Sequence, residues 1–471
     1  MNTLEKPGLA GAAELCLKTG AELAAGYESG AFSPVEVVRA ALDRADFAAS
    51  EYNAFTRIDH EEALAAAAAS EARWRRGTPL SAVDGVPATI KDIVLVEGKV
   101  IRSGSSATPT QPATQDAPAV ARMRQAGMIS LGLTTTPEFG WKAITDSPLS
   151  GVTTNPFNKS VTPGGSSGGA AVAAVVGAGV FHLGSDGGGS IRIPSSFTGI
   201  CGIKPTFGRV PAYPASAFGT VAHIGPMTRR SADLATMLQV MSGRDLDDWF
   251  QGAGALDGLG QAHVRPRGLK IGVWRKPPTG TVDPEVAAAF ETSLQVLAGA
   301  GAELVEFDLP MADQLYEIFC KHWFSGAAAR LAGLGLSSFD GIDPGLIEIV
   351  TEAGAWSAAN YIAAVGLRAS FGMQMDKLLD QLDFVVSPGC AVLPFQAGAE
   401  VPPGSGLTRW IEWAGFSFPI NLSQQPAAVV PAGRSATGLP IALQIIAARG
   451  QDARVLAFTR WWEEAQPALF L

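Results

Sequence analysis

The pattern of apolar and polar positions divides the chain into four stretches. Residues 8–75 read as N-terminal helices. "FSPVEVVRAALDRADFA" opens with Ser33 as N-cap and Pro34 at the first helical position, where a missing N–H costs nothing. "DHEEALAAAAASEARWRRG" is Ala-rich and stops at Gly77, with its basic end suited to the negative pole of a helix dipole. From residue 85 the texture changes. "GVPATIKDIVLV" is short, branched and apolar, as in a buried strand. "DAPAVARMRQAGM" reads as a helix capped by Asp116, and "ISLGLTT" as the strand after it. Two Gly-Ser runs, "TPGGSSGG" and "GSDGGGSIRIP", flank "AAVAAVVGAGVFHLG", a helix followed by a strand. Residues 241–380 are more helical and richer in aromatics, among them Phe319, Trp323, Trp356 and Phe371. "DFVVSP", "AAVVP" and "PIALQII" then return as buried strands.

This alternation predicts an α/β fold: a single large domain with a central, twisted, mixed and largely parallel β-sheet, covered by helices on both sides. The core is built from both ends of the sequence. It comprises 76–240 and 381–471, the latter closing with a helix, and 241–380 forms a helical insertion that covers the substrate.

Composition narrows the function. A chain of 471 residues, 47% of them hydrophobic, has ample material for a large core. The net charge of −9 and the lack of a dense basic run argue against a nucleic-acid partner. The longest apolar run, "AAVAAVVGAGVF", is too short to span a bilayer, and the start of the chain lacks a basic-then-apolar leader. Cys16, Cys201, Cys320 and Cys390 are scattered without a CxxC pair, which predicts free thiols in a reducing cytoplasm and no metal site.

Hydrolytic chemistry needs a nucleophile, a base and donors for a developing oxyanion. His60, His182, His223, His263 and His322 form no partner pattern. "GSSGG" at 165–169 matches G-x-S-x-G with Ser167 as nucleophile, but no strand precedes it as that elbow requires. Lys91 offers another base. It ends an apolar strand, where burial lowers an amine's pKa, and Ser–Lys pairs replace Ser–His in some hydrolases.

"GVPATIKD", "TPGGSSGGAAVAA" and "GSDGGGSIRIPSSFTGICGIKPTFGRV" together resemble the amidase signature family. "GVTTNPFN", "GPMTRRSADLATML" and "FPINLSQQPAAVVPAG" fit the same pattern, so the resemblance spans roughly 30–240 and 380–465. It implies the amidase signature fold and a Ser–Ser–Lys triad: Ser190 as nucleophile, Ser166 as the cis-bonded serine that relays the proton, Lys91 as base. It further implies an oxyanion hole of backbone N–H groups from Gly187, Gly188, Gly189 and Ser190. Asp186 and Arg192 are expected to support the loop, and Ser167 to assist through Ser166. The chain departs from the family where Gly187 stands for the usual Thr or Ile, and where Leu133 and Thr135 replace a lysine and an asparagine. Within the family it is similar to environmental members of urethanase or aryl acylamidase type.

The implied reaction is acyl transfer to water, cleaving the C–N bond of amides, with carbamates and esters as further substrates and no cofactor. Few charges flank the site, which favours a small, neutral, partly apolar substrate. Gly140, Trp141 and Arg209 are the candidate substrate contacts. The expected protein is a cytoplasmic monomer or homodimer without nucleic-acid or membrane partners. Two alternatives stay open: an ammonia-supplying, glutamine-hydrolysing component of an amidotransferase, and a catalytically silent binding protein on the same scaffold.

Overall fold

The computed structural model describes residues 14–252 and 264–471; the helical expectation for 8–13, and His263, lie outside them. Among the described residues thirteen strands occur in chain order: β1 (Phe55–Ile58), β2 (Pro87–Lys91), β3 (Ile129–Thr134), β4 (Asp146–Ser147), β5 (Gly151–Val152), β6 (Phe181–Asp186) and β7 (Cys201–Lys204). Then follow β8 (His223–Thr228), β9 (Lys270–Val273), β10 (Glu303–Glu306), β11 (Phe384–Pro388), β12 (Ala427–Arg434) and β13 (Pro440–Ile446). Eleven form one sheet in the order β1-β3-β2-β6-β8-β7-β12-β13-β11-β9-β10, while β4 and β5 pair separately.

The sheet is mixed, as the alternation of elements implies, but less parallel than expected. The parallel pairs are β2–β3, β2–β6, β9–β10 and β9–β11. The other six pairings are antiparallel. A parallel pair needs a long crossover, whereas β12 turns directly into β13 through Ser435–Leu439.

Two stretches read as helical also carry strands. β1 interrupts the N-terminal helices and pairs with β3 at one edge. β9 and β10 arise within 241–380 and extend the opposite edge. Each is only four residues long, too short to show a period against its helical surroundings.

Helices cover both faces, which explains the continuous apolar runs of the strands. Neighbours on one strand enter opposite cores. Val386 and Ile445 pack with Phe290, Leu294 and Phe458. Val385 and Ile446 pack with Phe371, Trp413 and Phe418. Ser33 caps helix Pro34–Tyr52 in a reciprocal box with Glu36, as its position suggests. Asp116 does not cap the helix after it; Ala117 occupies that position, and Asp116 accepts from the Glu97 N–H instead.

Candidate active site

Three loops meet at the ends of β2 and β6. β2 is buried at every residue and delivers Lys91, fully enclosed, at its last position. Its Nζ donates to the hydroxyls of Ser166 at 2.6 Å, Ser167 at 3.0 Å and Ser185 at 3.0 Å. Burial pushes the ammonium down to about 7, although Asp186 pulls the other way. An amine in that range exchanges its proton near neutrality.

The first Gly-Ser run turns sharply beside Lys91. The Gly165–Ser166 peptide bond is cis. A Cβ on Gly165 would lie 2.4 Å from the Ile144 backbone, so only glycine lets the two chains approach this closely. Ser167 begins helix Gly168–Val176, and its N–H donates to the Ser190 carbonyl at 3.1 Å, joining the two runs.

The second run leaves β6 at Asp186 and reaches Ser190 just before helix Arg192–Thr198. Asp186 organises it. The carboxylate accepts from the Gly189 N–H at 2.9 Å, the Ile191 N–H at 3.2 Å and the Arg192 guanidinium at 3.0 Å. Burial works to raise its pKa, but Arg192 and Asn421 outweigh it and hold the carboxyl well below the usual range. Arg192 also donates to Asn421 at 2.6 Å and Gln444 at 2.8 Å, fixing the loop to the C-terminal part of the sheet. Asp186 and Arg192 are thus bonded to each other and to the loop that carries Ser190.

Ser190 is 6% exposed, and its hydroxyl has no hydrogen-bond partner among the described residues. It lines a cavity of about 580 Å³ together with Ser166, Ser185, Gly187 and Gly140. Among the described residues no acceptor takes the N–H of Gly187, Gly188 or Ser190. Gly189 departs from the expected set of four donors, because its N–H is committed to Asp186. Aromatic rings press on this loop from outside: a Cβ would meet Trp323 at 2.6 Å from Gly187 and Trp410 at 2.7 Å from Gly188.

Two of the three expected substrate contacts are elsewhere. Trp141 is 1% exposed and does not line the cavity; it packs in the core, its carbonyl accepting from the Trp323 indole at 2.8 Å. Arg209 is 5% exposed and paired with Asp452 at 3.0 Å, tying its loop to helix Asp452–Ala465. Gly140 does reach the site, where a Cβ would stand 3.2 Å from the Ser166 hydroxyl. The walls come from Phe139, Phe218, Ile224 and Trp323, all in stretches expected to border the pocket (137–142, 210–225 and the helical insertion), and from Ile101, with Phe218 stacked on Trp323 at 3.9 Å. Ser185 was also missed, though it directly precedes Asp186 in the second run.

Among the described residues the histidines offer no competing base. His182 is fully buried with Nδ1 at 2.9 Å from the Thr89 hydroxyl, and burial pushes it down to about 3. His223 lines the cavity, but Val221 O takes its Nδ1–H at 2.8 Å and Lys204 donates to Nε2 at 3.3 Å.

The amidase family model matches residues 36–456 of this chain. The chain belongs to the amidase signature family. It is thus a hydrolase of that family, and its fold follows suit. A bacterial aryl acylamidase of known structure superposes with a TM-score of 0.89 over 96% of both chains, at 29% identity. An acylamidase of Rhodococcus erythropolis is 34% identical over 453 residues, covering 95% of each chain. A glutamyl-tRNA(Gln) amidotransferase subunit of Myxococcus xanthus is also 34% identical, over 94% of this chain and 96% of its own. Among the described residues no helix is long and apolar enough to cross a membrane, and no cluster of His, Cys, Asp or Glu is arranged to hold a metal ion.

Proposed function

We propose that this member cleaves the C–N bond of small, partly apolar amides through an acyl-enzyme on Ser190. The observation that carries the reading is the buried Lys91 amine, bonded to Ser166 and brought to about 7, behind a cavity that the free Ser190 hydroxyl lines. Neutral Lys91 draws the Ser190 proton through the Ser166 hydroxyl. The alkoxide attacks the carbonyl, and the N–H groups of Gly187, Gly188 and Ser190 receive the oxyanion. The proton held on Lys91 returns through Ser166 to the departing nitrogen. Water then repeats the sequence and releases the acid. Carbamates and esters present the same carbonyl to the same donors and belong to the proposed range.

The match to an amidotransferase component favours glutamine as a second reading. Against it, no Asp or Glu is among the described residues lining the cavity, so a substrate ammonium has no counter-charge there. A screen of anilides, p-nitroanilides, carbamates, esters and glutamine decides between them. The amidase reading expects anilide turnover that Ser190→Ala abolishes, with glutamine untouched. Turnover confined to glutamine, or surviving in Ser190→Ala, overturns it.

A further inference from the structure

We infer that the cavity contains a subsite for a substrate carboxylate remote from the scissile bond, and that Arg330 receives it. This rests on the amidase reading and narrows its substrate class, replacing the expectation of a neutral substrate. Arg330 is the only charged side chain among the described residues that line the cavity. Other buried arginines are satisfied: Arg192 and Arg209 by carboxylates, Arg229 and Arg368 by carbonyl oxygens. Half-buried Arg330 has no such acceptor among the described residues. Its guanidinium instead lies over the Phe139 ring, 4.9 Å from the centroid. That cation–π contact uses no N–H of the guanidinium, so its donor fork is left without an acceptor among the described residues and suits a carboxylate.

Helix Leu315–Ala332 supplies a ruler. Trp323 and Arg330 both line the cavity and are seven residues apart. That is two turns, so they share one side of the helix about 10 Å from each other. Trp323 stands against Gly187 of the loop that carries Ser190 and marks the reacting end. Arg330 marks the far end. The turn Glu138–Gly140 runs between the two, with Gly140 beside Ser166 and Phe139 beneath Arg330. Phe139 adopts φ +52°, a left-handed conformation that a bulky residue rarely takes and that is common where backbone is held for function. The span between is walled by Phe218, Ile101 and Ile224. The fitting substrate is an amide whose aryl or short alkyl spacer ends in a carboxylate remote from the scissile carbonyl.

Two pairs of anilides test this, one varied on the acyl chain and one on the arylamine, each ending in a carboxylate or an isopropyl group. Wild type should prefer the carboxylate member of one pair. Arg330→Gln should lower that preference at least ~10-fold, mainly through KM, as expected for a lost charge-assisted contact. Arg330→Glu should invert it, and Arg330→Lys should keep part of it and show that the site folds. Calorimetric binding of 4-phenylbutyrate gives the same comparison without turnover. A preference and an affinity that are unchanged in Arg330→Gln and Arg330→Glu would leave Arg330 only its favourable place in the last turn of a helix, and would overturn the subsite. Anilide turnover with no carboxylate preference in either pair sinks the subsite but not the amidase reading. Absence of turnover, with 4-phenylbutyrate still bound through Arg330, does the reverse.

Discussion

Lys91 concentrates the cost and the use of this site in one side chain. Its ammonium ordinarily titrates near 10.5 and is brought to about 7 by burial. Acting as a base, it must be neutral, so kcat/KM should rise with pH through about 7 to an alkaline plateau. The same shift opposes folding. The unfolded chain holds the proton up to ~10.4, so the penalty is full below about 7 and fades as pH climbs towards the unfolded value. Lys91→Met should therefore raise Tm relative to wild type most at pH 6, with the difference shrinking by pH 9. A difference that is flat across this range would mean that Lys91 keeps an ordinary pKa in the fold. Lys91→Ala should harm anilides more than matched esters, because an amine must be protonated as it leaves and a phenoxide need not be. Equal losses on both substrates would remove the lysine from leaving-group protonation.

At the level of the elements, the site is a strand end, two glycine-rich turns and a helix start held at contact distance. Gly187 shows how little space remains, since a Cβ there would stand 2.6 Å from the Trp323 ring. Gly187→Ala should displace the loop and cut kcat by ~10²-fold, the scale of losing one oxyanion donor. Adding Trp323→Leu should recover part of that loss; if the double variant is no better than Gly187→Ala, the clash is not the cause. The motif-borne parts of this arrangement were legible in the sequence. Lys91, Ser166, Ser190, Asp186 and Arg192 lie in short segments whose unusual composition serves a local backbone shape. Trp141 and Arg209 were misread because their surroundings are set by distant residues: Arg209 is claimed by Asp452, more than 240 positions away. Phe139 and Arg330 lie in stretches expected to border the pocket, 137–142 and the helical insertion, but their contact was not legible, since only folding brings a helix end over a turn.

Across the whole molecule, the Asp186–Arg192 pair is the rivet between the two ends of the chain. Arg192 reaches Asn421 and Gln444, so the loop bearing Ser190 is held by residues that follow the aromatic-rich region. β9 and β10 within that region, and β1 among the N-terminal helices, were not legible, because four-residue strands at or next to a sheet edge acquire their identity from the sheet they join. Arg192→Gln leaves a fully buried carboxylate without its counter-charge and should cost about 3–5 kcal/mol at pH 7. The low folded pKa of Asp186 makes its contribution present above the ordinary carboxylate range and lost as pH falls below it. The gap between variant and wild type should therefore narrow below about pH 4 in denaturant melts. A gap that widens in acid would contradict an ionised pair.

The most direct test of the proposed chemistry is the peptide map of the protein after reaction with a fluorophosphonate. The account predicts a single adduct on Ser190, absent from Ser190→Ala and formed far more slowly in Lys91→Ala. An adduct on Ser167 or Ser166, or labelling of Ser190 that proceeds at the wild-type rate without Lys91, would contradict it.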